Sequence, residues 1–181
     1  IEKVEAQEGK VVIPYEKYKL TNNDLTLIIH EDHSDPIVHV QVAYHVGSAR
    51  ESVRNSGFAH FFEHMMFEGS RNVKEGEHFK IIGESGGVNN AYTSFDKTVY
   101  HQTAPKNMTE KLLWLEADRM GTHLESFTQK QFENQRETVK NEKRQRYDNQ
   151  PYGMVSEILF KSLFSNHPYE WTPIGYVDDL D

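Results

Sequence analysis

Ile37-Val38-His39-Val40-Gln41-Val42-Ala43-Tyr44-His45-Val46 and, one loop later, Phe58-Ala59-His60-Phe61-Phe62-Glu63-His64-Met65-Met66 are the two stretches whose reading decides the architecture. In the first, Val38, Val40, Val42, Tyr44 and Val46 fall at every second position, which places them on one face of a strand. In the second, Phe58, Phe61, Phe62, Met65 and Met66 recur at threes and fours, the period of an amphipathic helix. Gly57 stands near its start and Gly69 just past its end. A strand period giving way to a helix period predicts a mixed fold.

Upstream, Leu25, Leu27 and Ile29 alternate with Thr26, Ile28 and His30 after the turn signal Thr21-Asn22-Asn23-Asp24. The link 31–36 is short, so these residues are expected to pair antiparallel with 37–46. Residues 1–14 are polar and aperiodic and read as an N-terminal arm, with 15–181 as one domain. Downstream, a short helix fits 75–82 and Gly86-Gly87 breaks it. Strands fit 88–95 and 98–103 around Asp96-Lys97 as hairpin tip. Helices return at 107–123, with Met108, Leu112, Leu115 and Met120 as apolar positions, then at 128–149, charged and free of Gly and Pro up to Pro151, and at 154–164. The expected class is α+β, a largely antiparallel sheet with helices packed on one face.

Composition narrows the function. Lys+Arg 20 against Asp+Glu 28 gives a net charge of -8, which argues against nucleic acid as a partner because phosphate binding needs a basic face. The basic cluster within 140–146 reads as a solvated helix face. Ten Phe, nine Tyr and two Trp are too many for a disordered acidic chain, and 181 residues suit one domain. With Cys 0, a metal must be held by His and carboxylates. No apolar run approaches the roughly 18 to 20 residues of a transmembrane segment. The start at Ile1 and the acidic end at Asp181 read as the limits of a fragment of a longer chain, so that a signal peptide would be invisible.

The chemistry concentrates in His60-Phe61-Phe62-Glu63-His64. Four helical residues turn about 400°, so His60 and His64 lie roughly 40° apart, one turn along, and both imidazoles can reach one ion. Glu63 stands about 60° from His60, beside such an ion without having to bind it. A hydrolytic zinc takes three protein ligands and leaves a position for water, whose proton a nearby carboxylate removes. A histidine pair alone is usually inert. Here Phe58, Phe61 and Phe62 bury the helix, and two His plus an acid on it would be costly without a partner. The third ligand must come from elsewhere. The helix at 128–149 offers Glu133, Glu137 and Glu142, with Gln135, Val139, Glu142 and Arg146 sharing one face.

With these motifs the chain resembles the pitrilysin and insulysin family of zinc metallopeptidases, the inverzincins, which include the catalytic subunit of mitochondrial processing peptidase. That family carries His-x-x-Glu-His on a helix and a glutamate ligand roughly seventy-five to eighty residues later, closing a Glu-Arg-x-x-Val-x-x-Glu pattern. Glu142 lies 78 residues after His64, at the end of Gln135-Arg136-Glu137-Thr138-Val139-Lys140-Asn141-Glu142. The resemblance extends over His45-Val46-Gly47-Ser48, Gly57 to Gly69, Gly86 to Tyr100, His167-Pro168-Tyr169 and Ile174-Gly175-Tyr176. One departure stands out: Gln135 occupies the position where relatives often have a supporting glutamate, seven residues before the ligand.

The resemblance implies one zinc per catalytic domain on His60, His64 and Glu142, Glu63 as general base, and Gln135 in a supporting place. It also implies that Asn90 and Ala91, on the strand Asn89-Asn90-Ala91-Tyr92-Thr93-Ser94, bind an extended substrate by β-augmentation. The implied activity is a zinc endopeptidase acting on peptides or unfolded proteins, completed by a homologous second domain or subunit in a clam-like assembly. A bacterial periplasm or other extracytoplasmic space is favoured over the cytoplasm. The alternative is a non-catalytic peptide-binding partner subunit of the same family, against which the intact motif speaks. A closed structural zinc module is disfavoured because Glu63 would then have no purpose.

Overall fold

Turn residues and strand alternation place six strands in two antiparallel sheets, in a computed structural model that describes residues 1–10 and 12–180. Val11 in the expected arm and Asp181 at the acidic end lie outside the described residues. The chain divides into two compact units, Ile1–Pro36 and Ile37–Asp181.

In the first unit, β1 (Glu2–Val4), β2 (Tyr15–Lys19) and β3 (Thr26–Ile29) form a sheet in that order. The segment expected as an arm thus contains a strand, with Val4 opposite Tyr15. The β2–β3 turn closes through Leu20 N–H to Leu25 O at 2.9 Å, with Asp24 at a left-handed φ of 60°. Leu25, Leu27, Ile28 and Ile29 are all exposed, so the apolar alternation there sets a pleat without marking a core.

The expected pairing across 31–36 does not form. β3 pairs with β2, whereas β4 (Ile37–Tyr44) pairs with β6 (Thr98–Pro105) over its full length, from Ile37 opposite Pro105 to Tyr44 opposite Thr98. An eight-residue ladder with β6 offers more backbone bonds than the four residues of β3. β5 (Val88–Thr93) flanks β6 on its other side, and their turn closes through Ser94 N–H to Lys97 O at 2.8 Å.

Five α-helices accompany this second sheet: α1 (Phe58–Met65), α2 (Glu77–Glu84), α3 (Thr109–Thr122), α4 (Gln129–Lys143) and α5 (Val155–Leu163). α2 spans Glu77–Glu84 rather than the expected 75–82, because Gly76 adopts φ 74° and caps it. α4 is opened by a reciprocal cap between Thr128 and Gln131. It ends at Lys143, where 144–148 widens into a π turn, so the single helix expected to Asn149 is two different backbones.

α3 packs on the β6 face carrying Tyr100, Gln102 and Ala104. Gln102 donates to Leu112 O and to Glu116, and the Arg119 guanidinium lies 4.3 Å from the Tyr100 ring centre. Val73, Ile82, Ala104, Leu112 and Leu115 form one core cluster. Met120 faces outward instead, 47% exposed. A second cluster joins Phe61 and Met65 of α1 to Val139 of α4, with Ile174 and Leu180. Among the described residues no helix is long and apolar enough to cross a membrane.

Candidate metal centre

Core packing aims the chemistry. Phe61 and Met65 turn into the cluster with Val139, which leaves His60 and His64 on the adjoining side of α1 and brings Glu142, three residues beyond Val139, opposite them. The two imidazoles stand edge to face, 4.8 Å between ring centres. His64 Nε2 lies 3.2 Å from Glu142 Oε2 and His60 Nε2 lies 3.8 Å from the same oxygen. Donor atoms of all three lie within 4.8 Å of one another, and this is the one such group of His, Asp and Glu among the described residues. Glu133 and Glu137, the other glutamates of α4, are engaged elsewhere, Glu133 with Arg136 at 2.6 Å and Glu137 with Lys140 at 3.6 Å.

The electrostatics suit a cation. The hydrogen bond from His64, with His60 and Arg146 nearby, holds the Glu142 carboxyl below its ordinary range. Burial, and then the neighbouring His64, push His60 down to about 4, so this ring stays neutral and keeps a lone pair. Two imidazole nitrogens and one carboxylate oxygen are a donor set zinc accepts. Zinc at its usual bond lengths spaces tetrahedral donors about 3.3 Å apart, close to the two separations to Glu142. The second oxygen of Glu142 is held by Arg146 at 2.8 Å, which leaves Oε2 for the metal side. His60 Nδ1 is buried without a partner, so the outer support of that ring is incomplete.

Glu63 is buried beside this group. Its Oε2 accepts from Thr93 Oγ1 at 2.5 Å, and burial raises its pKa more than that bond lowers it. Thr93 is itself fixed by Thr98 at 3.2 Å, and Thr98 donates to Val46 O. β5 therefore holds Glu63 from the side of the sheet. β5 alternates: Asn89, Ala91 and Thr93 are half-buried on that side, and Asn90 is exposed on the other. Asn90 Oδ1 accepts from Ala91 N–H at 2.9 Å. β5 is an edge strand of its three-stranded sheet. Gln135 is outside the His60, His64 and Glu142 group and donates to Glu68 Oε1 at 2.6 Å.

Three contributors escape sequence reasoning. Thr93 and Arg146 carry roles that depend on the partner opposite them. Glu51 carries a third: Gly57 caps α1 with φ 87° and no side chain, and Glu51 supplies the missing acceptor to Gly57 N–H at 2.9 Å and Ala59 N–H at 2.7 Å, while Trp171 Nε1 donates to it at 2.9 Å. Glu51 sits in an aperiodic loop, and no local pattern marks it.

Comparison with known proteins adds an independent line. A family model described as Insulinase (Peptidase family M16) matches residues 26–174. Zinc protease PqqE of Helicobacter pylori is 37% identical over 166 residues, 92% of this chain and 37% of that protein. The crystal structure of a protease from Helicobacter pylori superposes with a TM-score of 0.87 at 38% identity, over 92% of this chain and 39% of that one. The crystal structure of the periplasmic protease PqqL from Escherichia coli shares the fold, with a TM-score of 0.79 at 23% identity, over 99% of this chain and 20% of that one. The chain thus spans well under half the length of these relatives.

Proposed function

Because the chain belongs to the insulinase family of peptidases, family M16, we propose that it is the zinc-binding part of an endopeptidase that cleaves peptides or unfolded proteins. The observation that carries this reading is the convergence of His60, His64 and Glu142 from two helices, with Glu63 buried beside them. His60, His64 and Glu142 are the residues that would hold zinc. When bound, the ion acidifies water and polarises a carbonyl.

The protein's own groups then divide the work. Thr93 occupies Glu63 Oε2, so Oε1 is the atom free to take a proton from attacking water and return it to the leaving amine. The raised pKa of Glu63 brings it nearer neutrality, where a base that must also act as an acid works best. Arg146 restrains Glu142 through its other oxygen. The β5 edge at Asn90 and Ala91 aligns an extended peptide by backbone pairing, which tolerates many sequences. Residues 15–181 then belong to the catalytic domain of a longer protein, and a homologous second domain or subunit closes the cleft. An extracytoplasmic compartment, as for the periplasmic PqqL, is part of this reading.

Metal analysis of the purified protein tests it: about one zinc per chain is expected, by the ligand count of a catalytic site. Glu142→Gln should weaken zinc binding. Glu63→Gln should keep the metal and abolish hydrolysis in the full-length protein. Absence of zinc after reconstitution, or loss of zinc in Glu63→Gln, overturns the assignment.

A further inference from the structure

The two helices that carry the candidate ligands are joined a second time, away from the ligands. Glu68 lies four residues after His64, just past the end of α1, and Gln135 lies seven residues before Glu142, two turns earlier on α4. Gln135 Nε2 donates to Glu68 Oε1 at 2.6 Å. One turn earlier again, Gln131 Nε2 donates to the Glu68 backbone oxygen at 2.9 Å and reaches Glu75 Oε2 at 3.2 Å. Between this clamp and the ligands sits Val139, fully buried against Phe61 and Met65. α1 and α4 therefore touch at three successive levels: clamp, apolar contact and ligand pair.

We propose that Glu68 and Gln135 are positioning residues for the metal centre of this chain, and that with an acid at 68 its site requires an amide at 135, where relatives often have a glutamate. The inference rests on the zinc reading of His60, His64 and Glu142. Its physical basis is local. A carboxylate has no proton to donate at neutral pH, so an acid at 135 would replace a short hydrogen bond with two facing carboxylates, close to Glu75 as a third. The repulsion would open α1 from α4 at the clamp, and the 3.2 Å approach of His64 to Glu142 depends on the angle between the same helices. An exchanged pair, amide at 68 and acid at 135, keeps the bond with its polarity reversed.

The test compares four proteins: the parent, Q135E, E68Q and the exchanged pair E68Q/Q135E. Zinc affinity is measured by competition with a chromophoric chelator, and ligand geometry by the visible bands of the cobalt(II)-loaded forms. Q135E should bind zinc about tenfold or more weakly, the scale on which outer supports of a metal site act. Its cobalt bands should shift, and the exchanged pair should recover both properties. A Q135E protein with parental affinity and bands, or an exchanged pair no better than Q135E alone, overturns the proposal. Thermal midpoints of the metal-free proteins separate this from the zinc reading. If the parent binds no zinc, the function reading fails, while a non-additive cycle of midpoints still supports the clamp and an additive one removes it.

Discussion

Glu63 gains its chemical character from burial and from one hydroxyl. Burial lifts its pKa and the Thr93 bond opposes that lift by stabilising the ionised form. Thr93→Val should therefore raise the pKa of Glu63 further and move the acid limb of kcat/KM to higher pH in the full-length protein, with zinc content unchanged. A limb that stays in place would show that Thr93 does not tune the base. His78 supplies a second prediction at this scale. Burial pushes it down to about 3, from an ordinary value of 6.5. The unfolded chain thus takes up a proton near pH 6.5 that the folded protein refuses until about pH 3. Stability present above that window falls as pH drops through it. His78→Gln should flatten the fall of the thermal midpoint between those limits relative to the parent, and parallel profiles would refute the assignment.

At the scale of elements, α1 is the piece everything else orients. Its N-terminus ends on Gly57, whose added Cβ would come within 2.6 Å of Ile174 O, so no capping side chain fits there. Glu51 takes over that role from the loop just before the helix, with a negative charge at the positive end of the helix dipole. Glu51→Ala should cost roughly 1.5 to 3 kcal/mol of stability, the scale of a hydrogen bond to a charged group. Because α1 carries both histidines, the loss should weaken zinc binding as well, measurable by chelator competition beside denaturant unfolding. The core contacts behave differently. Leu112→Ala, in the cluster between α3 and the sheet, should cost about 2 to 5 kcal/mol through the cavity it leaves, while zinc affinity of the folded fraction stays parental.

At the scale of the molecule, the β5 edge and the candidate ligands are provided by Ile37–Asp181, and the relatives are more than twice as long as this chain. Orientation of a peptide against the catalytic group can be worth roughly 7 to 11 kcal/mol of a barrier. We expect residues 1–181 alone to bind zinc yet hydrolyse an unstructured peptide far more slowly than the full-length protein. Comparable turnover in a side-by-side assay would show that a second domain is dispensable.

Periodicity in the sequence determined the local elements of this protein: α1 from the recurrence of Phe58, Phe61, Phe62 and Met65, the β5 and β6 hairpin from its turn, and the His60, Glu63 and His64 arrangement from helix geometry alone. Such features depend on residues within a turn or two of one another. The spacing of α4 left three glutamates open, and only the packing of Val139 against Phe61 and Met65 brought Glu142 to the histidines. Pairing of β4 with β6 rather than β3 and the meeting of Gln135 with Glu68 join residues far apart in the chain, and the cap from Glu51 reaches α1 from an aperiodic loop just before it. No local period encodes these contacts, because each depends on which surfaces remain free once the core has closed.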